Sequence, residues 1–494
     1  MTTLSADLVV LGSGFGGSLT ALAAKRMGLA VVLIERHAHP RFAIGESSTP
    51  YGDLVLAELA DRYDLPRIRP LAQYGSWRRA YPSLPCGLKR GFSYFYHRAG
   101  EPFTPRDDHA NELLVSASRD DEHADTHWYR ADFDAFLVGE VQSAGIAYLD
   151  RSTLTRIEPD EPWTLEARRD NKRYTIRGSF VVDASGGAGV LATALGIEND
   201  VDALHTDTRS IYAHFTGVTP WSDIYTSIGG RIDDHPYPSH AAALHHVFDG
   251  GWIYVLHFDH GVTSAGFVLD NTRHPLDASC SPDVEWSHRL GRLPSVAAQF
   301  DGAVPLSPLM RTGRMQRCAR RLAGRNWAML PHAGCFVDPL HSTGNAHTLS
   351  AVERLLPILQ RTGRDRDQAL ARYERTTLWE VRLIDQLVHG SYASMGRFDL
   401  MIAQVMLYFA GAHYSETRRR KGDFTIGDAF LNADDARFRD AVDRSHRAVC
   451  RLAGQDPVSQ DEVRAFEDQI AEAIRPYNLA GLCDPAKCNM YAGV

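Results

Sequence analysis

Three kinds of hydrophobic patterning follow one another along the 494 residues. The first is the short unbroken apolar run. DLVVL at 7–11 and AVVLIE at 30–35 read as parallel strands buried on both faces, with the helical stretch SLTALAAKRMGL between them. FVVDASGG at 180–187 is a third such strand, ending on Asp183. The second pattern is alternation. Between Asp200 and Gln316, stretches such as SIYAHFTG and GWIYVLHFDHGVTSAGFVL interleave aromatic and polar residues, a period-two patterning that predicts antiparallel strands. The third sets in near Ser350. ALARYERTTLWEVRLIDQLVHGSYASM and FDLMIAQVMLYFAGAHY space their apolar residues by three and four, which predicts helices.

The turn after the first strand is GSGFGG. Gly12, Gly14 and Gly17 fit G-x-G-x-x-G, with Phe15 inside the turn. The first glycine allows the turn, the second admits a pyrophosphate to the backbone, and the third lets the helix pack on the sheet. Glu35, followed by Arg36, is placed to accept hydrogen bonds from a ribose. Strand, turn, helix, strand and acid agree on a dinucleotide site.

Two later stretches add to that site. HWYRADFDAFL places Arg130 at the start of an amphipathic helix. NWAMLPHAGCFVDPLHSTGNAHTLSAVERLL reads as strand, loop and long helix, whose N-terminal N–H groups suit a flavin's oxygens or an anion.

GLKRGFSYFYH at 87–97 raises a separate question. Phe92, Tyr94 and Tyr96 alternate with Ser93, Phe95 and His97 as in a strand, with Lys89 at its head. On these residues alone, Lys89 reads as a solvated lysine on an edge strand.

The bulk numbers remove several classes. A net charge of −8 disfavours nucleic acid as a partner. The absence of a long apolar run or a secretory leader points to a cytoplasmic protein with no membrane partner. Seven cysteines suggest no disulfide framework, and the 22 histidines show no metal-ligand spacing, so no metal is expected.

Taken together, these stretches resemble the flavin-dependent halogenases within the flavoprotein monooxygenase-like fold. HPRFAIGESSTP is similar to the family's P-R-x-x-x-G-E-S-x-x-P loop, and Gly45, Glu46 and Ser47 would lie along the flavin. Lys89-Arg90-Gly91 resembles the K-R-G-x-x-F segment of the carrier-protein and phenol branch. Asp338-Pro339 through Ser342-Thr343-Gly344 resembles D-P-x-x-S-x-G, which makes Thr343 and Gly344 the halide candidates.

The resemblance implies an α/β protein. A Rossmann-type FAD-binding domain would take 1–200 and 310–360, an antiparallel-sheet substrate region 201–309, and a helical C-terminal domain 361–494. It implies FAD held by Gly12, Gly14, Phe15, Gly17, Glu35, Arg36, Gly45, Glu46, Ser47, Arg130, Asp183, Asp338 and Gly344. The family chemistry is FADH2- and O2-dependent: a flavin C4a-hydroperoxide oxidises chloride or bromide, and hypohalous acid is relayed to the lysine, here Lys89. The acceptor would be a phenol or pyrrole, free or carrier-tethered.

Several positions depart from the family. Trp252 and Tyr254 stand where W-x-W-x-I-P is usual, and His341 replaces the glutamate of tryptophan-specific members. His332 replaces the aspartate of G-D-A-A-G, and 187–194 lack the arginine that would contact NADPH. These differences imply a separate flavin reductase as partner and an acceptor other than free tryptophan. Trp252, Tyr254 and His341 become substrate-pocket candidates. A two-component monooxygenase that hydroxylates a small molecule or peptide side chain is the alternative.

Overall fold

The computed structural model describes residues 2–492. Two sheets and a helical tail make up the fold, and the cofactor-sized cavity lies between the sheets.

The first sheet is built on β1 (Thr2–Leu11) and β2 (Val31–Ile34), joined by α1 (Phe15–Arg26). β1 pairs in parallel with β2 on one side and with the strand Lys172–Asp183 on the other. Leu8, Val9 and Val10 are fully buried, as the apolar run predicts. The strand Trp327–Met329 lies beyond Lys172–Asp183, so Ile34, Leu11, Asp183 and Met329 end level with one another. The carboxyl ends of such strands are where α/β sheets bind ligands.

GLKRGFSYFYH forms two strands where the alternation predicts one. Among the described residues, β3 (Cys86–Lys89) pairs only with β6 (Asp125–Trp128). β4 (Gly91–Tyr96) belongs to the second sheet beside β5 (Glu112–Ser116). The break falls at Arg90, whose N–H donates to the Ala241 carbonyl and whose guanidinium reaches Asp121, Ser118 and Arg119. Lys89 ends β3 of this two-stranded sheet instead of heading a strand, and its side chain is fully buried, not solvated.

The second sheet runs through Thr208–Thr216, Val262–Asp270, Gly251–His257, Ala243–Phe248, β4 and β5. It is antiparallel where the alternation predicts it, but β4 joins Ala243–Phe248 in parallel. This sheet extends beyond 201–309, recruiting β4 and β5 from the N-terminal part and Met490–Tyr491 from the tail. Its two faces explain the period of two. Tyr94 and Trp252 face the cavity side, whereas Phe95 and Ile253 pack beneath the helices Trp221–Ser227, Pro282–Gly291 and Pro294–Gln299.

The tail begins with the helices Thr343–Leu359 and Gly363–Ser394 and continues with Phe398–Arg420, Ala436–Ala453 and Gln460–Ile474. Phe398–Arg420 is apolar around most of its circumference because it is sandwiched in the core. Among the described residues, no helix is long and apolar enough to cross a membrane.

Candidate active site

A cavity of about 1020 Å³ opens at the ends of the first sheet's strands. That is the upper end of the size of ligand pockets and suits a dinucleotide. Its floor is the glycine turn. Gly12 has φ +97°, and a Cβ there would meet the Ala184 carbonyl oxygen at 2.5 Å. A Cβ on Gly17 would lie 2.0 Å from the Gly12 carbonyl oxygen. Backbone atoms cannot yield to such contacts, so both positions require glycine.

Glu35 is buried beside this turn. Its carboxylate accepts the Ser13 N–H at 3.0 Å, the Ser13 hydroxyl at 3.1 Å and the His37 N–H at 2.9 Å. Burial alone would raise its pKa. The Ser13 and His37 N–H donors and the Arg41 guanidinium, 3.6 Å away, outweigh burial and lower it. The site is therefore built for an ionised carboxylate at the cavity wall. Arg36 lines the cavity next to it.

Arg130 also reaches the wall, but most of its donors serve the protein. It grips Asp134 through two bonds of 2.9 and 2.8 Å, donates to the Ile44 and Gly45 carbonyls, and lies over the Phe15 ring. Its main role is to hold the GES loop against α1. Asp183 lies behind the lining, where its carboxylate accepts the Ser185 and Leu191 N–H groups and shapes the turn between them. Gly14, Phe15, Gly45, Glu46, Ser47, Asp338 and Gly344 all line the cavity. The His214 ring lies 2.9 Å from the Glu46 carboxylate, a partnership the sequence did not suggest.

These residues fit FAD. The glycine cradle would take the pyrophosphate, the buried acid the ribose, and the remaining volume between the two sheets the ring system.

The loop before the helix Thr343–Leu359 crosses the far end of this cavity. His341 (φ 67°) and Ser342 (φ 54°) are both left-handed. For side-chain residues each such conformation costs about 1–3 kcal/mol, so the surroundings must impose it. They do so through a set of short bonds. Asn345 Nδ2 donates to the Gly45 and Ser47 carbonyls at 3.1 and 3.2 Å, and the Ser342 hydroxyl donates to Ser47 Oγ at 3.0 Å. Gly344 faces the cavity; Thr343 is buried in the first helical turn and does not line it. A Cβ on Gly344 would meet His332 Nε2 at 2.8 Å. His332, at the position of the family's aspartate, is thus packed against the loop that carries Gly344. Burial lowers its pKa to about 3, so it is neutral.

Trp252 and Tyr254 line the same cavity, not a separate substrate pocket. Trp252 Nε1 donates to the Tyr392 hydroxyl at 2.7 Å, and Tyr392 in turn donates to Asp338 at 3.2 Å. His341 is buried away from the cavity lining, stacked on Tyr408 and 3.3 Å from the Tyr94 hydroxyl.

Lys89 sits in the partition behind the GES loop. Its Nζ donates to the Ser48 carbonyl and lies 4.1 Å from the centre of the Phe92 ring. Ser47 faces the large cavity, whereas Thr49, Pro50 and Phe92 line a second one of about 80 Å³. Tyr51, Tyr408, Phe409, Phe430 and Tyr491 complete its aromatic wall, with His413 and Glu416 among its polar members. Lys89 itself lines neither space; it lies in the wall between Ser47 on one side and Thr49 and Phe92 on the other.

Its charge has partners that the sequence did not reveal. Asp125 Oδ2 is 4.0 Å from Nζ, and Asp53 lies close by, bonded to the Ser48 hydroxyl at 3.2 Å. Asp53 Oδ1 and Asp125 Oδ2 are buried without a hydrogen-bond partner. Burial raises both carboxyl pKa values, that of Asp125 to about 7, and lowers that of Lys89 to about 8. One ammonium, one carboxylate and one shared proton form the neutral combination, which low-dielectric surroundings favour. His127 and His245 border the same amine and are held neutral by burial. No linear motif could have found Asp53 and Asp125, because the fold brings them together from α2 (Pro50–Arg62) and β6.

The comparisons with known proteins agree with this geometry. The tryptophan halogenase family model matches residues 123–401. Monodechloroaminopyrrolnitrin halogenase PrnC of Pseudomonas fluorescens is 30% identical over 421 residues, covering 83% of this chain and 72% of that protein. The chain belongs to the flavin-dependent halogenases. Tetracycline 7-halogenase of Kitasatospora aureofaciens, another relative, is 30% identical over 80% of this chain and 71% of its own. The crystal structure of halogenase PltM with phloroglucinol and FAD has the same fold, with a TM-score of 0.88 at 24% identity over 98% of this chain and 99% of that one. The flavin-dependent halogenase described here is therefore an enzyme whose cofactor is FAD and whose co-substrate is a halide, in a family whose acceptors are aromatic.

Proposed function

We propose that this halogenase transfers chlorine or bromine to an electron-rich monocyclic aromatic, a phenol or pyrrole, free or tethered to a carrier protein. The observation that carries this reading is Lys89, a fully buried amine between a dinucleotide cavity and a small aromatic one. When bound, reduced FAD with O2 supplies the oxidant that turns halide into hypohalous acid.

The protein's residues do the rest. Gly344 and the N-terminal turn of Thr343–Leu359 offer N–H groups to the halide. Lys89 holds hypohalous acid by donating to its oxygen, which makes the halogen more electrophilic. The acceptor ring lies among Phe92, Tyr408 and Phe409. At about 80 Å³ the space is below the ~150 Å³ of an apolar cavity that takes benzene, so one ring fits with a small side-chain movement and a fused ring does not. As the carbon–halogen bond forms, the oxygen–halogen bond breaks and the oxygen takes a proton from the Lys89 ammonium to leave as water; the ring proton passes to the Asp125–Asp53 carboxylate, which returns it to Lys89. Glu416 or His413 accepts a phenol hydroxyl.

His332 lacks the negative charge of the residue it replaces, and no arginine follows Asp183 in the adjoining loop. Both features support a separate flavin reductase as partner. The test is a turnover assay with a reductase, NADH, FAD and bromide on a panel of phenols, pyrroles and tryptophan, read by mass spectrometry. Bromination of monocyclic phenols or pyrroles is expected. Products heavier by a single oxygen would make the protein a monooxygenase instead.

A further inference from the structure

On the far side of the helix Gly363–Ser394 lies a cluster the halogenation reading does not use. His389 on that helix meets His446 and Cys450 on the helix Ala436–Ala453. His389 Nδ1 and His446 Nε2 are 2.8 Å apart, and Cys450 Sγ lies 3.6 Å from each. His446 and Cys450 are four residues apart, so one helical face presents both.

We propose that His389, His446 and Cys450 bind a borderline divalent transition-metal ion, of the zinc class, that clips these two helices together. Zinc–nitrogen bonds of about 2.0–2.1 Å and a zinc–sulfur bond of about 2.3 Å, set tetrahedrally, put sulfur about 3.5 Å from each nitrogen and the nitrogens about 3.3 Å apart. The sulfur distances already match. The nitrogens need to part by about half an ångström, which exchanges their mutual hydrogen bond for two metal bonds. Two imidazoles and a thiolate form a donor set that selects zinc-like ions over magnesium or calcium.

Entry and a fourth position are both available. His389 and Cys450 are half-buried, and the exposed His205 ring packs against both imidazoles, 5.5 Å from His389 and 4.9 Å from His446 between centres. Asp385, one turn before His389, anchors that segment by accepting the His205 and Thr206 N–H groups at 2.8 and 2.9 Å. Binding releases the Cys450 thiol proton, and the hydrogen on the donor imidazole moves to that ring's outer nitrogen. A rival cluster, His109, Glu112 and His235, is less suited. Both nitrogens of His109 already engage Glu112 and Asp234, and Tyr225 donates to Glu112.

The clip would act at a sensitive place. Ser391 and Tyr392, half a turn beyond His389, contact His341 and Asp338. Fixing this segment steadies the loop that carries Gly344.

The test uses the full-length chain, treated with a chelator and titrated with Co2+ alone. One Co2+ per chain should give thiolate-to-metal absorption in the near ultraviolet, and Zn2+ should displace it. Cys450→Ser and His446→Gln should each weaken binding by more than about tenfold, whereas Cys488→Ser should not. If Cys450→Ser does not fold, alkylation of the native protein answers the same question, since Zn2+ should protect Cys450 from the reagent. Absence of the absorption, its persistence in Cys450→Ser, or unprotected alkylation would each overturn the site.

Discussion

Lys89 brings three N–H donors into the interior, and among the described residues the Ser48 carbonyl is its one direct acceptor. Burying an ammonium costs several kcal/mol, repaid in part by the Phe92 face and the Asp125 charge. A side chain held this way still has donors for a small oxidant. Lys89→Ala should abolish halogen transfer while reduced flavin is still reoxidised by oxygen. Lys89→Arg should not rescue it, because the larger planar fork cannot replace a compact ammonium in a closed site. The carboxyl pair gives a second expectation. Activity should rise near pH 7 as Asp125 ionises and fall near pH 8 as Lys89 loses its proton. Burial lowers the lysine's pKa, and Asp125 and Asp53 raise it. Removing the Asp125 charge therefore moves the falling limb to lower pH. Asp125→Asn should lose the rising limb and about 10²-fold or more in rate, with its fold retained by circular dichroism. An unchanged pH profile in that variant would give Asp125 a packing role only.

At the scale of elements, the cofactor cradle depends on backbone contacts. Gly17→Ala drives a methyl into the Gly12 carbonyl, and neither backbone can move without separating α1 from β1. Overpacking of this kind costs about 1–3 kcal/mol, so FAD affinity, read by quenching of flavin fluorescence, should fall at least about tenfold. Asn345→Ala removes two bonds that tie the GES loop to the helix Thr343–Leu359. The Gly45 carbonyl keeps its bond from Arg130, so the part-buried Ser47 carbonyl is the one left short, at about 1–3 kcal/mol; FAD affinity and melting temperature should both fall. The cradle was legible because its signals are local: strand, glycines, helix and acid succeed one another within 30 residues of sequence, and each has its own pattern. The surroundings of Lys89 were not. Alternation over 87–97 suggests one strand, but Arg90 turns the chain from one sheet into another, which carries the lysine inward. Its acidic partners come from α2 and β6, which no linear pattern joins. His341 itself spends both ring nitrogens on Tyr94 and Ser391.

For the whole molecule, the arrangement of two sheets and a helical tail places two spaces on either side of one loop. The large cavity takes its walls from both sheets, and the small one takes Phe92 from the second sheet and Tyr408 and Phe409 from the tail. On the proposed function, oxidant and acceptor would be kept apart, with a buried amine between them. The separation predicts that flavin chemistry and halogen transfer can be uncoupled by a single substitution. The measurement that tests this most directly follows both processes in the same reaction of Lys89→Ala with reduced FAD, oxygen and bromide. Flavin reoxidation is read by absorbance and brominated product by mass spectrometry, against the native enzyme. Reoxidation at the native rate with no brominated product is the predicted result. Brominated product at the native yield would contradict the role given to Lys89.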